Sequence, residues 1–280
     1  MSEPRVPIPT ILGMELRPLA LEALCEADLE QKLALVGALK AQTATVLIVP
    51  EAAMSAPMPL PGRPAQPQLI EPKRVPQRSV HTPEGRARLI HAICHIEFNA
   101  INLALDAIWR FADMPGDFYR DWLRVAIEET YHFGLLHDHL QRHHGHRYGD
   151  FPAHDGLWAM CERTSGDITA RMALVPRTLE ARGLDATPLI QAKLRAVGTP
   201  DALAACDILD IILRDEIGHV AIGNHWYGWL CARQGLAPVA HYRQLVRHYA
   251  APRLRGPFNT LARQMAGFTR EELAALTADA

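Results

Sequence analysis

The sequence predicts an all-α protein: a four-helix bundle with extra helices at its N- and C-terminal ends. Two E-x-x-H motifs lie inside long helical patterns, and each follows another glutamate by about one helix and a turn. No run of alternating β-branched residues is long enough to indicate a sheet. The residues that carry this pattern are Glu97, Glu129, His132, Glu180, Glu216 and His219.

The N-terminal region, residues 1–80, combines a helical segment with an extended connection. Apolar residues at helical spacing predict helix over residues 15–49. Prolines then recur through residues 50–80, which favours an extended, polyproline-like segment. We expect residues 1–80 to pack on the bundle.

The first bundle helix is predicted over residues 83–112. Thr82 is a suitable N-cap, and Pro83 suits the first helical position. Glu97 falls in the middle of an apolar stripe that includes Ile93 and Ile101. Burying an unpaired carboxylate costs several kcal/mol or forces its protonation. A metal ion at Glu97 would remove that cost.

The second bundle helix is predicted over residues 116–144, with Gly145 as its stop. Glu129 and His132 are three residues apart, so they share one helix face. That face is otherwise apolar, with Phe133 and Leu136 beside the two polar residues.

The third bundle helix is predicted over residues 156–182, with Asp155 as its cap and a kink at Pro176. Glu180 is the expected ligand from this helix. Glu162 and Asp167 are the alternatives, and Glu162 lies too far from the second E-x-x-H for one helix and a turn.

The fourth bundle helix is predicted over residues 200–233 and carries Glu216 and His219 on an apolar face. Gly218 and Gly223 lower its helix propensity, so we expect them to make room for close packing, a substrate or a local distortion. The bundle domain is therefore expected to span residues 81–235. A C-terminal extension over 236–280 is expected to hold two or three shorter helices.

The six candidate ligands predict a dinuclear metal site. Four carboxylates and two neutral imidazoles carry a charge that two divalent cations would offset. Oxygen and nitrogen ligands without a thiolate favour iron or manganese, as Fe/Fe or Mn/Fe. Asp215 and Glu128 precede the two motif glutamates, and each is a candidate to accept the free ring N–H of a ligand histidine on the facing helix. A solvated helix residue is the alternative for both, and it is the favoured interpretation for Glu128. His95 is a further candidate for such support.

The remaining composition excludes several classes of protein. A net charge of −2 provides no general field for nucleic acid or anionic lipid. Five scattered cysteines and an N-terminus without a signal-peptide pattern favour the cytoplasm. No apolar run approaches the length of a membrane span. The histidine-rich run His137–His146 is interpreted as a solvated helix end, with metal capture as the alternative.

These motifs resemble those of known families. The Asp215-Glu216-x-x-His219 run resembles the D-E-x-x-H of ribonucleotide reductase small subunits, within the ferritin-like superfamily of non-haem di-iron carboxylate proteins. Nearly the whole chain is similar to the bacterial family called domain of unknown function 455. The matching stretches are Thr82-Pro-Glu-Gly-Arg, His95-Ile-Glu97, Ala170-Arg-Met-Ala-Leu-Val-Pro-Arg177, Glu180-Ala-Arg-Gly-Leu-Asp185 and Asp215-Glu-Ile-Gly-His219. The resemblance implies a ferritin-like bundle and a di-iron site but brings no settled reaction.

The leading functional hypothesis is an O2-activating oxidase or hydroxylase of a small organic substrate, because the added terminal segments are suited to roof a pocket. The alternatives are a non-enzymatic iron storage or detoxification protein, a tRNA-modifying hydroxylase, and a structural bundle whose site has lost its metal. No flavin or iron–sulfur motif is present, so an electron-donor protein is an expected partner. A homodimer is a further expectation.

Overall fold

The structure is a computed structural model that describes residues 15–76 and 79–279. In that part of the chain the fold is all-helical, and β-structure is limited to two isolated bridges, Glu15 with Leu47 and Leu69 with Ala153. The expectation of no N-terminal signal segment falls on residues outside the described part. Among the described residues, no helix combines the length and apolar character that crossing a bilayer requires.

The chain divides into two compact units. The first comprises the described part of Met1–Pro64 together with Ala104–Ile127, and the second comprises Ala65–Leu103 and Glu128–Ala280. Both units therefore include segments that are distant in sequence. The predicted domains 1–80, 81–235 and 236–280 stay a prediction.

The first unit begins with two short helices, α1 (Leu16–Cys25) and α2 (Leu29–Ala41). The Glu15 side chain accepts a hydrogen bond from the amide of Arg17 at 3.1 Å, and Asp28 accepts from Gln31 at 2.9 Å. These caps explain why each helix starts where it does. The helical character predicted for residues 15–49 is confirmed over α1 and α2, but the chain breaks between them and leaves regular helix after Ala41.

A buried arginine on α1, Arg17, hydrogen-bonds to two other segments of the first unit. Arg17 is 1% exposed, and its Nη1 donates to the carbonyl oxygens of Val49, Pro50 and Ala52 at 2.8–3.1 Å. Its Nη2 donates to the carbonyl oxygen of Trp109 at 2.8 Å. The guanidinium thus satisfies backbone acceptors that would otherwise be buried without partners.

The two long helices α3 (Pro83–Arg110) and α4 (Gly116–His144) agree with the predicted ranges of 83–112 and 116–144. The Thr82 Oγ1 accepts a hydrogen bond from the amide of Gly85 at 3.1 Å, which confirms the predicted cap. Each helix contributes residues to both units. The part of α3 that carries Glu97, and the part of α4 that carries Glu129 and His132, belong to the second unit.

The predicted third helix is interrupted and longer than expected. It consists of α5 (Gly156–Arg163), α6 (Ile168–Leu174), a π-helical segment (Val175–Glu180) and α7 (Ala181–Val197). Pro176 lacks an amide donor, and the chain widens into a π turn around it instead of ending. The predicted end at 182 is wrong. The helix stops at Gly198, whose φ of 70° favours glycine.

The last long helix, α8 (Pro200–Gln234), confirms the range predicted from residue 200 to 233. Three shorter helices follow, α9 (Pro238–His248), α10 (Thr260–Met265) and α11 (Arg270–Asp279), as predicted for the C-terminal extension. Apolar residues of α10, of α11 and of the turn between them join α7 and α8 in one buried cluster of the second unit. Its members are Ala181, Leu184, Val220, Ala262, Ala266, Phe268 and Leu273.

Candidate metal centre

The six predicted ligand residues are all buried in the second unit. Glu129, His132 and His219 have no exposed surface, and Glu97 is 4% exposed. Glu180 is the last residue of the π segment. Uncompensated burial of so many ionisable groups is costly, so the arrangement requires an explanation.

Four of these residues form one compact group. Ligand atoms of Glu97, Glu129, His132 and Glu216 all lie within 4.8 Å of one another. They come from three different helices, α3, α4 and α8. The group can therefore hold a metal ion.

Glu129 links the two E-x-x-H motifs. Its Oε2 lies 3.5 Å from Nδ1 of His132 on its own helix, and its Oε1 lies 2.9 Å from Nδ1 of His219 on α8. Glu97 Oε2 lies 3.3 Å from His132 Nδ1, and Glu216 Oε1 lies 3.4 Å from His219 Nδ1. One carboxylate thus faces both imidazoles, with a further glutamate beside each.

Each ligand histidine also contacts a carboxylate of the facing helix through its other ring nitrogen, Nε2. His132 Nε2 lies 3.1 Å from Asp215 Oδ2, and His219 Nε2 lies 2.8 Å from Glu128 Oε2. With the proton on Nε2, each ring donates to its carboxylate and turns the Nδ1 lone pair toward the cluster. Asp215 therefore lies against a ligand histidine as predicted. Glu128, for which a solvated residue was the favoured interpretation, also contacts one.

Asp215 is itself positioned by a neighbour that the sequence reasoning missed. Arg214 Nε and Nη2 donate to the Asp215 carboxylate at 2.8 and 3.1 Å. Burial opposes ionisation of Asp215, but Arg214 and His132 outweigh it and lower its pKa below the usual value. The one sequence signal was the basic residue directly before the D-E-x-x-H run.

Several buried atoms of the cluster make no well-aligned hydrogen bond to any residue that the structure describes. Two of them are the imidazole Nδ1 atoms, and the rest are carboxylate oxygens. They are His132 Nδ1, His219 Nδ1, Glu97 Oε2, both Glu129 oxygens, both Glu180 oxygens and Glu216 Oε2. Buried polar atoms are rarely left unsatisfied. These are metal-ligand atoms, so the residues present fit a bound cation.

Electrostatics in the metal-free cluster favour bound protons. Burial and the nearby Glu129 carboxylate raise the pKa of Glu97 to about 8. Burial and Glu216 raise the pKa of Glu180 well above its usual value. Burial opposes protonation of His132, but Glu129 and Glu97 outweigh it and raise its pKa to about 11. Protons thus supply positive charge that a metal would otherwise bring.

The third-helix candidates are placed very differently. Glu180 is 7% exposed, and its carboxylate interacts electrostatically with Glu216, Glu129 and His219. Asp167 caps α6 by accepting from the amide of Ala170 at 2.9 Å. Glu162 is exposed to solvent. Of the three, Glu180 is the residue that the fold brings to the cluster.

The π-helical segment Val175–Glu180 packs closely against α8 at Gly223. A Cβ atom added to Gly223 would lie 2.6 Å from Pro176 Cβ and 2.7 Å from Pro176 Cγ. The close approach expected at Gly223 is therefore present. Gly218 has nothing within 4 Å of such an atom, so close packing is not seen there, and the alternatives of a substrate or a local distortion stay predictions. Because Pro176 precedes Glu180 in the same π segment, this contact helps to position the Glu180 carboxylate.

Two histidine predictions need correction. His95 Nδ1 hydrogen-bonds with the Tyr148 hydroxyl at 2.8 Å, and its Nε2 lies 3.2 Å from the His154 carbonyl oxygen. Both nitrogens are engaged outside the cluster, so support of a ligand by His95 is not seen. The histidine-rich run is not wholly solvated, because His139 is 3% exposed and the His144 side chain 4%.

Comparison with known proteins identifies the family. A family model described as protein of unknown function (DUF455) matches residues 25–274. A protein of Haemophilus influenzae titled "Uncharacterized protein" is 53% identical over 217 residues, which cover 75% of this chain and 74% of that protein. No solved structure matches the chain. The chain belongs to the DUF455 family.

Proposed function

We propose that the protein is a non-haem di-iron or iron/manganese carboxylate protein of ferritin-like architecture. In this proposal it activates dioxygen to oxidise or hydroxylate a small organic substrate. The observation that carries the proposal is the Glu129 carboxylate, whose two oxygens lie 3.5 and 2.9 Å from the Nδ1 atoms of His132 and His219. A carboxylate that faces two imidazoles is suited to two neighbouring cations rather than one.

The arrangement of donors supports this architecture. Ferritin-like dinuclear proteins take one glutamate from each of two helices and an E-x-x-H motif from each of two others. Glu97 on α3 and Glu180 on the π segment supply the single glutamates here, and α4 and α8 supply the motifs. In the proposed centre, two cations would be held by the six candidate ligands Glu97, Glu129, His132, Glu180, Glu216 and His219.

The ligand chemistry favours iron and manganese. The cluster offers carboxylate and imidazole groups, and no cysteine belongs to it. Such donors suit iron and manganese, whereas thiolates favour zinc or copper(I). Two divalent cations would offset the charge of four carboxylates, so metal binding is expected to stabilise the folded protein.

The surrounding residues prepare the site for oxidative chemistry. When bound, two such metals supply paired one-electron redox steps that reduce dioxygen. The same helices bury Cys94, Phe133, Leu136 and Val220, none of which has exposed surface. Water is thus kept from the cluster, which strengthens electrostatic interactions and protects reactive species from side reactions.

Hydroxylation sets the co-reactants that the protein requires. One oxygen atom of O2 enters a C–H bond of the substrate, and the other leaves as water after uptake of two electrons and two protons. The electrons must come from an external reductant, which we assign to an electron-donor protein. An oxidase reaction instead takes two electrons and two protons from the substrate and releases O2 as hydrogen peroxide. With two further electrons and two protons, the electrons coming from the external reductant, both oxygen atoms leave as water.

Oxygen consumption tests the proposal. Protein loaded with Fe(II) under nitrogen is mixed with a reductant, a bacterial extract and ¹⁸O2, with the Glu129→Ala, Glu216→Ala double variant as control. We expect oxygen uptake by the wild-type protein alone and ¹⁸O in one small-molecule product or in water. Absence of uptake by the loaded protein would refute the activity.

Two outcomes of the same experiment favour the other functions. Incorporation of ¹⁸O into the RNA fraction would identify a tRNA hydroxylase in place of a small-molecule enzyme. A cage-sized assembly that accumulates many irons per chain would identify storage or detoxification. Size measurement by light scattering on the loaded protein distinguishes the latter.

A further inference from the structure

A cavity in the C-terminal part of the second unit has an unusual lining. Its volume is about 280 Å³, and it is bounded by α9, the loop after α9, α11 and the π segment. Val246, Leu254 and Phe268 are among its apolar walls. The basic residues that line it are Arg177, Arg243, Arg247, Arg253 and Arg263.

Arg177 is a fixed cation at this cavity. It is 5% exposed, and its Nη1 and Nη2 donate to Asn224 Oδ1 at 3.1 Å and to Glu272 Oε1 at 2.6 Å. Its guanidinium also lies 4.8 Å from the centre of the Phe268 ring. Hydrogen bonds and the aromatic contact hold the charge in one position before any ligand arrives.

Arg263 is a second fixed cation. It has no exposed surface, and it donates to both carboxylate oxygens of Asp185, from Nε at 3.0 Å and from Nη2 at 2.6 Å. Its guanidinium lies 5.2 Å from the centre of the same Phe268 ring that Arg177 contacts. Its Nη1 has no hydrogen-bond partner in the described part of the chain.

The two fixed arginines keep donors that a ligand could use. Among the described residues, Nε of Arg177 and Nη1 of Arg263 are buried without a hydrogen-bond partner. Glu272, the one acidic residue among the described residues that line the cavity, and Asp185 pair with other nitrogens of these two arginines. The lining also includes the solvent-exposed arginines Arg243, Arg247 and Arg253.

We propose that this cavity binds a small organic anion, with a carboxylate or phosphate head and an apolar body. Arginine pairs bidentately with both kinds of head group, and the apolar wall accepts the rest of the molecule. The volume fits a metabolite-sized ligand and excludes a folded partner. The inference does not depend on the metal centre, because none of its six candidate ligands lines the cavity.

Calorimetric titration of the full-length protein tests the proposal with four probes: octanoate, octyl phosphate, 1-octanol and inorganic phosphate. We expect octanoate or octyl phosphate to bind at least tenfold more tightly than 1-octanol and inorganic phosphate. The preferred head group distinguishes a carboxylate ligand from a phosphate ligand. Raising the salt concentration should weaken the binding of the preferred anion.

Matched charge reversals locate the binding site. Arg247→Glu and Arg253→Glu should each weaken binding of the preferred anion at least tenfold. Arg120→Glu, which reverses an exposed arginine outside the lining, should change it less than twofold. Since all three residues are exposed, unchanged melting temperatures will show that the variants fold.

Four results would overturn the proposal. They are absence of binding by any probe, equal affinity for octanoate and 1-octanol, inorganic phosphate binding as tightly as octyl phosphate, and full affinity in both Arg247→Glu and Arg253→Glu. The Glu129→Ala, Glu216→Ala double variant should bind the preferred anion as the wild-type protein does. Loss of binding there would place the anion on the metal cluster instead.

Discussion

The two halves of the candidate metal site are built differently. In the first half, Glu97, Glu129 and His132 lie on α3 and α4, two uninterrupted α-helices. In the second half, His219 and Glu216 lie on the regular helix α8, but Glu180 ends a π-helical segment around Pro176. Both halves nevertheless bring a glutamate and an E-x-x-H motif to one buried cluster.

The difference shows two ways of placing a ligand. Regular helices place side chains by spacing alone, so Glu129 and His132 share a face through their three-residue separation. The π segment depends on a contact with another helix, because Pro176 packs where Gly223 of α8 has no side chain. π-Helical segments recur at functional sites. They lower the stability of the protein, so contacts with the surrounding fold must compensate for them.

Replacing Glu129 with glutamine should have the largest effect, since it removes the carboxylate that both halves share. We expect metal affinity to fall on the order of 100-fold or more, beyond the usual loss when a residue behind a ligand is changed. Manganese titration measures that loss, and circular dichroism shows whether the variant folds. A variant that still binds two metals would show that Glu129 is not shared.

Gly223→Ala should disturb the second half of the candidate metal site and spare the first half. The new methyl group would meet Pro176 Cβ at 2.6 Å, so either the π segment or α8 must shift. We expect a loss of about 2 kcal/mol in the free energy of unfolding, typical of overpacking, with weaker binding of one metal. Denaturant unfolding and metal titration provide the measurements.

Gly228→Ala is the matched control on the same helix. A Cβ atom there has nothing within 4 Å, so the substitution should stabilise α8 by up to about 1 kcal/mol through helix propensity. Equal effects of Gly223→Ala and Gly228→Ala would contradict the account of the π segment.

The two outer carboxylates should have similar, smaller effects. Asp215→Asn and Glu128→Gln remove the charge that holds His132 and His219, respectively. Each should weaken metal binding about tenfold while leaving the fold intact. Glutamine and asparagine keep the shape, so circular dichroism should not change. If only one variant loses affinity, the two histidines do not have equivalent roles.

The pH dependence of the melting temperature should be the smallest of these effects. Without metal, folded Glu97 keeps a proton up to a pKa of about 8, and His132 keeps one up to about 11. Both values lie above those of the unfolded chain, so metal-free protein loses stability as pH rises from about 5 through 8. Metal displaces these protons. The rise in melting temperature on adding Mn²⁺ should therefore grow from pH 6 to pH 8. A constant or shrinking rise would contradict the proton occupancy of the cluster.

Sequence spacing predicted much of the site because the residues lie on long helices with clear end signals. Thr82 and Pro83 fixed the start of α3, and the three-residue separations fixed each E-x-x-H pair. The facing partners of the two histidines followed from their position one residue before the motif glutamates. Helical periodicity was therefore sufficient to predict the positions of the candidate ligands on α3, α4 and α8.

The interruptions and the end of the third helix escaped prediction because they depend on contacts that sequence does not display. The helix was expected to end at residue 182, but α7 continues to Val197. The π segment depends on the absence of a side chain at Gly223, which is distant in sequence. His95 was a candidate to support a ligand, whereas its ring hydrogen-bonds with Tyr148.

Metal content measured by mass spectrometry tests the central claim most directly. Protein produced with iron and purified without a histidine tag should hold about two iron ions, or one iron and one manganese, per chain, in keeping with a dinuclear carboxylate site. The Glu129→Ala, Glu216→Ala double variant should hold none. Metal-free protein from both preparations, with the same melting temperature before and after chelation, would contradict a metal site at these residues.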